Sequence, residues 1–150
     1  MNAAQSNPQL TTLCGLRPDQ TEADLLGNGR KVGDAMMVGY DLKKHQHLVK
    51  LKFAENEFFE TSIGKYMAEA LKVNETLTWL DLSSNELTYH GNYMAQVIDL
   101  CEALKVNSAL RTLDLKNNFL TAEGARLFAD ALTVNRTLTD LDLSVNSLST

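Results

Sequence analysis

The sequence predicts a curved α/β solenoid, with parallel strands on the concave face and helices on the convex face. Leucine supplies 25 of the 150 residues, and most leucines fall at fixed positions of a repeated segment. An asparagine marks each copy, and the five asparagines are Asn28, Asn56, Asn85, Asn118 and Asn146, at intervals of 28, 29, 33 and 28 residues. A single strand–helix unit cannot bury its leucines alone, so the copies must stack. Helices are wider than the roughly 4.8 Å strand spacing, so the stack must curve.

The strands come from four segments that obey the pattern L-x-x-L-x-L/F-x-x-N. They begin at Leu48, Leu77, Leu110 and Leu138. A weaker first copy, residues 20–28, keeps Asp24, Leu25 and Asn28. Within each segment, leucines alternate with polar residues, which is the period of a strand with one buried face. We expect the repeated asparagine to be half-buried, with its amide bonded to loop backbone of its own and the neighbouring repeat.

A helix is predicted after each asparagine. In residues 121–132, the apolar residues at helical spacing are Ala125, Phe128, Ala129 and Leu132. Three helices end at a second set of asparagines, Asn74, Asn107 and Asn135. Asparagine tolerates the left-handed conformation that closes a helix, so we expect that conformation there. His45 occupies the corresponding position of the first copy.

This pattern resembles the leucine-rich repeat superfamily, specifically its ribonuclease-inhibitor-like class. The resemblance covers residues 20–150, as five repeats of about 28 residues. It implies a right-handed α/β horseshoe whose usual function is protein binding. Relatives in this class include ribonuclease inhibitor, the sensor regions of NOD-like receptors, tropomodulins and the Ran GTPase activator.

The two ends of the chain are predicted to differ. Residues 1–19 do not fit the repeat and are expected to form an N-terminal capping helix and turn. We expect no C-terminal cap after the fifth strand. The leucines expected to face no further repeat are Leu138, Leu141, Leu143 and Leu148. We therefore expect either continuation of the solenoid after Thr150 or end-to-end association with a partner.

The composition and charge of the chain disfavour several classes of binding partner. The net charge of −5, without a basic stripe, disfavours nucleic acid and anionic membranes as partners. No apolar run reaches the length of a membrane span, and no secretory signal is visible, so membrane insertion is not expected. Cys14 and Cys101 lie far apart and are predicted to be reduced thiols in the cytoplasm.

The candidate binding residues lie on the concave face. Solvent-facing positions are predicted to form three rows: Glu22, Lys50, Trp79, Thr112 and Asp140; then Asp24, Lys52, Asp81, Asp114 and Asp142; then Leu26, Ala54, Ser83, Lys116 and Ser144. Trp79 is the strongest single candidate, because tryptophan is enriched at binding hot spots. The aspartates fit a basic partner patch. The alternative is that aspartate before the third leucine is simply common in such repeats.

The long third interval contains a second candidate. Residues 86–94 are predicted to add about one helical turn, with Tyr89, His90 and Tyr93. Insertions in repeat proteins map to loops on one face and often bind partners. The alternative is a longer convex helix without a binding role.

The sequence does not predict a catalytic, metal-binding or phosphate-binding site. The paired carboxylates lack a cleft for acid–base catalysis, and His45 and His47 lack a third metal ligand. Residues 27–33 do not have the spacing of a phosphate loop. We expect no cofactor and a non-catalytic protein-interaction module that binds another protein through the concave face, the uncapped C-terminal end, or both. The alternatives are a GTPase-activating protein resembling the Ran GTPase activator, and a structural subunit of a large assembly.

Overall fold

Strands and helices alternate along the chain, as predicted. The structure, a computed structural model, describes residues 12–27, 32–56, 63–89 and 91–148. The elements are β1 (Glu22–Asp24), α1 (Val32–Leu42), β2 (Lys50–Lys52), α2 (Ile63–Leu71), β3 (Trp79–Asp81), α3 (Ala95–Val106), β4 (Thr112–Asp114), α4 (Ala122–Leu132) and β5 (Asp140–Asp142). This order confirms the predicted α/β solenoid.

The strands form one parallel sheet in the order β1-β2-β3-β4-β5. The register aligns equivalent positions of successive repeats, such as Leu51 with Leu80 and Leu80 with Leu113. In β1 to β4 the central residue is buried and the residues on either side are at least partly exposed. One face of the sheet therefore packs on the helices, and the other faces solvent.

The helices form the second layer, and each packs on the next: α1 on α2, α2 on α3, and α3 on α4. The contact of α2 with α3 is close, because a Cβ on Gly64 would lie 2.5 Å from the Cβ of Gln96. Between the layers runs a continuous core, in which Phe53, Met67 and the leucines of the segments that begin at Leu48, Leu77 and Leu110 are fully buried. Full burial of such a side chain contributes roughly 1.5–3 kcal/mol. No helix in the described part of the chain is long and apolar enough to cross a bilayer.

The repeated asparagines Asn56, Asn85, Asn118 and Asn146 link neighbouring repeats, as expected. The first three are buried, so the prediction that they are half-buried is wrong. Asn28 lies outside the described residues. Nδ2 of Asn85 donates to the carbonyl oxygens of Phe53 at 2.8 Å and Leu82 at 3.0 Å. Oδ1 of Asn85 accepts the backbone N–H of Asn56 at 3.0 Å. The amide satisfies backbone groups of its own and the preceding repeat, which would otherwise cost about 1–3 kcal/mol each when buried.

A second set of asparagines closes the helices, but not by the expected conformation. Asn74, Asn107 and Asn135 do not have positive φ, and Asn107 is extended at φ −70° and ψ 131°. The left-handed prediction is therefore wrong. Nδ2 of Asn107 instead donates to the carbonyls of Leu71 at 2.7 Å and Asn74 at 3.2 Å, and its Oδ1 accepts the N–H of Leu110 at 2.8 Å. A buried side-chain amide closes the turn, so the backbone has no need of the left-handed region.

His45 takes the place of this asparagine in the first repeat. Its Nδ1 accepts the N–H of Leu48 at 3.0 Å, and its Nε2 lies 2.8 Å from the carbonyl oxygen of Arg17. Because a carbonyl only accepts, Nε2 carries the proton of this bond. Nδ1 of His47 lies 3.0 Å from the carbonyl oxygen of Pro18. Both histidines therefore bind the segment that precedes β1 through hydrogen bonds to its backbone carbonyls.

The residue before each repeated asparagine has a left-handed backbone. These residues are Gly27 at φ 54°, Glu55 at 55°, Ser84 at 55°, Asn117 at 54° and Val145 at 55°. This conformation costs a non-glycine residue roughly 1–2 kcal/mol, and a β-branched residue suits it least. In the four non-glycine cases, the hydrogen bonds of the following asparagine offset that cost.

The segment before β1 covers one end of the core. The predicted capping helix falls mainly on residues 1–11, which lie outside the described residues. In residues 12–19, the N–H groups of Leu13 and Cys14 donate to the carboxylate of Asp41, at 2.8 Å and 2.9 Å. Asp41 is buried at the end of α1, so one carboxylate attaches this segment to the first repeat.

The last repeat is less covered than those before it. Its leucines are half-buried at Leu138, Leu141, Leu143 and Leu148, whereas the equivalent leucines of the two preceding repeats are fully buried. On α4, Phe128 is buried, but Ala125 and Leu132 are half-buried and Ala129 is exposed. The predicted buried face of α4 is therefore only partly buried, because no described helix packs on its far side.

The insertion in the third repeat forms turns before α3, and not the expected helical turn. Tyr89 at φ 44° and Gly91 at φ 87° have conformations incompatible with a helix. Thr88 is fully buried beneath them. Its Oγ1 donates to the carbonyl of Phe119 at 2.7 Å and accepts the N–H of Gly91 at 3.0 Å. α3 has 12 residues against 11 in α4, so the convex helix is hardly lengthened.

Candidate protein-binding surface

The sheet register assembles two of the predicted rows. The first contains Glu22, Lys50, Trp79, Thr112 and Asp140, and the second contains Asp24, Lys52, Asp81, Asp114 and Asp142. We call these ten residues the concave rows. Because the strands are parallel and in register, each side chain lies about one strand spacing from the next in its row.

Lys50 and Trp79 form a cation–π pair at the centre of the first row. Nζ of Lys50 lies 4.6 Å from the centroid of the Trp79 ring. Both residues are half-buried, so the pair is ordered but accessible. Such a pair is worth about 0.5–1 kcal/mol at an exposed site. The prediction that these residues are neighbours is confirmed.

The aspartates of the second row have a local structural role that the sequence analysis missed. Oδ1 of Asp81 accepts the N–H of Ser83 at 2.9 Å, and Oδ1 of Asp114 accepts the N–H of Lys116 at 2.9 Å. Asp24 and Asp142 make the same bond to the residue two positions on. Aspartate followed by a turn is the signal that could have revealed this role. These carboxylates therefore shape the loop after each strand, and they also carry the charge of the surface.

Three of these carboxylates adjoin one another in the register, as Asp81, Asp114 and Asp142. Removal from water raises the pKa of Asp114, and the charges of Asp81 and Asp142 raise that pKa further, against the lowering by the Lys116 N–H. Hydrogen bonds from Ser144 lower the pKa of Asp142. A cation placed beside Asp114 would relieve this repulsion.

The charge of the concave rows is divided along the sheet. A shallow depression of about 320 Å³ is lined by Trp79, Thr112, Asp114, Asp140 and Asp142, together with Leu113 and Leu141. The lysines lie on the other side of Trp79. Lys52 aligns with Asp81 as predicted, but its ion pair is with Asp24 at 3.6 Å. The acidic half of the surface thus borders the one tryptophan of the chain.

The third predicted row is not a continuous solvent-facing row. Ala54 is buried, so its predicted exposure is wrong. Leu26, Lys116 and Ser144 are exposed, and Ser83 is half-buried.

The tyrosines of the insertion lie together on its surface. The ring centroids of Tyr89 and Tyr93 are 6.0 Å apart and the rings are tilted by 43°. Both side chains are exposed. His90 lies outside the described residues. The insertion therefore presents an ordered aromatic pair where strand β3 leads toward helix α3.

The described residues do not assemble a metal site. Within them, no group of three or more His, Cys, Asp or Glu side chains could hold a metal ion. The ring nitrogens of His45 and Nδ1 of His47 are engaged with backbone groups. What the concave rows can offer a ligand is charge, an indole surface and a rigid backbone.

Comparison with known proteins agrees with this fold. Residues 73–91 and 106–129 match the family model described as Leucine Rich repeat. Among solved structures, 36 chains match. One is described as Leiomodin-1 Actin-Binding Site 2, with a TM-score of 0.73 and 20% sequence identity over 84% of this chain and 71% of that chain. No curated protein sequence matches. The matched segments and the solenoid support a leucine-rich repeat protein, and the structural likeness shows the fold alone.

Proposed function

We propose that the chain is a non-catalytic protein-interaction module of the ribonuclease-inhibitor-like class, which binds a basic patch of a partner protein through the concave rows. The observation that carries this proposal is Trp79, which lies between Lys50 at 4.6 Å and the acidic depression. Tryptophan is enriched at binding hot spots, and partly exposed charges around it are typical of the polar rim of an interface.

The physical basis is rigidity combined with unbalanced charge. The strands hold both rows in register, so a partner loses little of its binding energy to ordering this surface. A lysine or arginine of the partner would contact the indole of Trp79 and the carboxylates of Asp114 and Asp140. Burial raises the pKa of Asp114, and the charges of Asp81 and Asp142 raise it further; a bound cation would relieve the repulsion from these two charges.

Actin is the first partner to test, because the similar leiomodin-1 structure is described as an actin-binding site. The half-buried leucines of the last repeat would supply a second contact, with a partner or with further repeats. The buried Cys101 is a free thiol, which supports a cytoplasmic location. No observation on the described residues favours a GTPase-activating or an assembly-subunit role, and neither is proposed.

The test is affinity capture with the immobilised chain, first with purified actin and then with cell extract. Trp79→Ala and Asp140→Lys are expected to weaken capture of the partner by about tenfold or more. Ile98→Ala, which alters an exposed residue of α3, is the matched control and should leave capture unchanged. Equal capture by Trp79→Ala and Asp140→Lys would refute binding through the concave rows.

A further inference from the structure

Three exposed valines form a row at the edge of the solenoid where the helices end. Val73, Val106 and Val134 are 58%, 63% and 53% exposed. Each directly precedes an asparagine of the second set. Nδ2 of Asn107 donates to the carbonyl of Asn74, and Nδ2 of Asn135 donates to that of Asn107, both at 3.2 Å. These bonds join the residues that directly follow the valines, so the three valines occupy equivalent positions of successive repeats.

Folding gives no reason for valine at these positions. The side chains are not in the core, so burial contributes little. Val106 is the last residue of α3, while Val73 and Val134 lie two residues beyond α2 and α4, and valine is a poor helix former. Exposed apolar residues scattered singly are ordinary, but a contiguous row marks an interaction site.

Cations surround the row. Lys72 and Lys105 precede two of the valines, Arg136 follows the third, and Lys44 occupies the valine position of the first repeat. Lys105 is paired with Glu102 at 2.5 Å, whereas Lys72 and Arg136 make no ion pair with another described residue. The edge is therefore basic in a chain whose net charge is −5.

The same edge contains a groove, which lies between the first two repeats. It has a volume of about 350 Å³ and is lined by Lys43, Lys44, Val73 and Glu75, with His45, Gln46, Asn74 and Thr76. Lys43 is held by Glu69 at 2.7 Å. The groove thus combines an exposed valine with ammonium groups, and one carboxylate lies among them.

We propose that this valine edge (Lys44, Lys72, Val73, Lys105, Val106, Val134 and Arg136) docks an acidic protein segment that carries apolar side chains. The apolar side chains would cover the valines, and the carboxylates would pair with Lys72 and Arg136. This partner chemistry is opposite in sign to that of the concave rows. The valine edge is therefore a second surface, independent of the function proposed above.

The test uses two synthetic peptides of equal length, one alternating glutamate with leucine and the other alternating lysine with leucine. Backbone amide NMR of the full chain is expected to show that the glutamate peptide shifts residues 72–76, 105–108 and 133–137. The triple variant Val73→Ser/Val106→Ser/Val134→Ser should weaken its affinity about tenfold or more. Lys72→Glu/Arg136→Glu should do the same without removing apolar surface, and Ile98→Ser and Trp79→Ala should have no effect.

Four results would overturn the proposal. The lysine peptide could bind as tightly as the glutamate peptide, or neither peptide could bind at millimolar concentration. The triple variant could retain the affinity of the native chain. Sedimentation could also show a concentration-dependent dimer that the triple variant abolishes, which would assign the edge to a second copy of the chain.

Discussion

The backbone N–H of Asn85 donates to Oδ1 of Asn118, 3.1 Å away, across the boundary between two repeats. The same bond joins Asn56 to Asn85 at 3.0 Å and Asn118 to Asn146 at 2.8 Å. The Oδ1 atoms of Asn85, Asn118 and Asn146 thereby accept a hydrogen bond from the preceding repeat, and their Nδ2 atoms donate one to it. The stack is held together by a chain of buried amides in addition to its leucines.

Asn85→Ala should lower the free energy of unfolding by about 3 kcal/mol or more. The change leaves the carbonyls of Phe53 and Leu82 and the N–H of Asn56 without their partner. Urea unfolding followed by circular dichroism measures the loss. The control is Asn92→Ala at an exposed site, where a change within about 0.5 kcal/mol is expected. A loss below about 1 kcal/mol for Asn85→Ala would contradict the linking role.

Replacing His45 with asparagine, the residue at this position in the other repeats, should largely preserve the stability of the protein. In His45→Asn the new Oδ1 can accept the Leu48 N–H, as Asn107 does for Leu110, so stability should stay within about 1 kcal/mol of the native chain. His45→Leu leaves that N–H unpaired and should cost about 1–3 kcal/mol. The two melting temperatures decide between these outcomes, and equal destabilisation by both changes would refute the equivalence.

Val145→Gly should stabilise the protein by roughly 1 kcal/mol, because Val145 is held at φ 55° and is exposed. The equivalent residue of the first repeat is already glycine, Gly27 at φ 54°. Val134→Gly, at an exposed valine without positive φ, is the control and should gain nothing. Thermal unfolding of the two variants measures the difference in stability. A destabilised Val145→Gly would show that the Val145 side chain contributes more stability than its strained backbone costs.

Asp114→Asn should stabilise the protein at neutral pH by about 0.2–1 kcal/mol, because it removes one of three adjacent like charges. The folded state raises the pKa of Asp114 through burial and the neighbouring carboxylates. A folded state that holds a proton more tightly than the unfolded chain loses stability as the pH rises through the folded pKa. The gain from Asp114→Asn should therefore shrink on acidification to pH 3. Urea titrations at both pH values test this, and a gain independent of pH would contradict it.

The two thiols should differ in reactivity. Burial raises the pKa of Cys101 to about 12, so little thiolate forms at pH 8 and the sulfur is shielded. Cys14 is half-buried in the segment before β1. With a chromogenic disulfide reagent, Cys14 should react first and Cys101 only as the protein unfolds in urea. Equal rates in native buffer would show that α3 opens locally.

Much of the fold could be predicted because the leucine and asparagine positions repeat. The period located each strand, and parallel register then aligned Lys50 with Trp79 and Asp81 with Asp114. The same regularity predicted the incomplete burial of Leu141 in the last repeat. The division into an N-terminal cap and five repeats stays a prediction.

What the sequence did not reveal depends on contacts between distant residues. The attachment of Leu13 to Asp41 joins residues 28 apart and has no local pattern. The left-handed conformation predicted for Asn107 was wrong, because its side chain closes the turn by bonding to Leu71, in the preceding repeat. The turns of the insertion depend on the contact of Thr88 with Phe119, one repeat later. The conformational preferences of neighbouring residues do not reveal hydrogen bonds between residues that are about one repeat apart.

Photo-crosslinking from position 79 tests the binding claim most directly. A photoreactive phenylalanine analogue replaces Trp79 in one sample and Ile98 of α3 in another, and each chain is irradiated in cell extract. A partner protein should be crosslinked from position 79 and not from position 98, and unlabelled native chain should compete for it. A partner crosslinked only from position 98, or equally from both positions, would contradict binding through the concave rows.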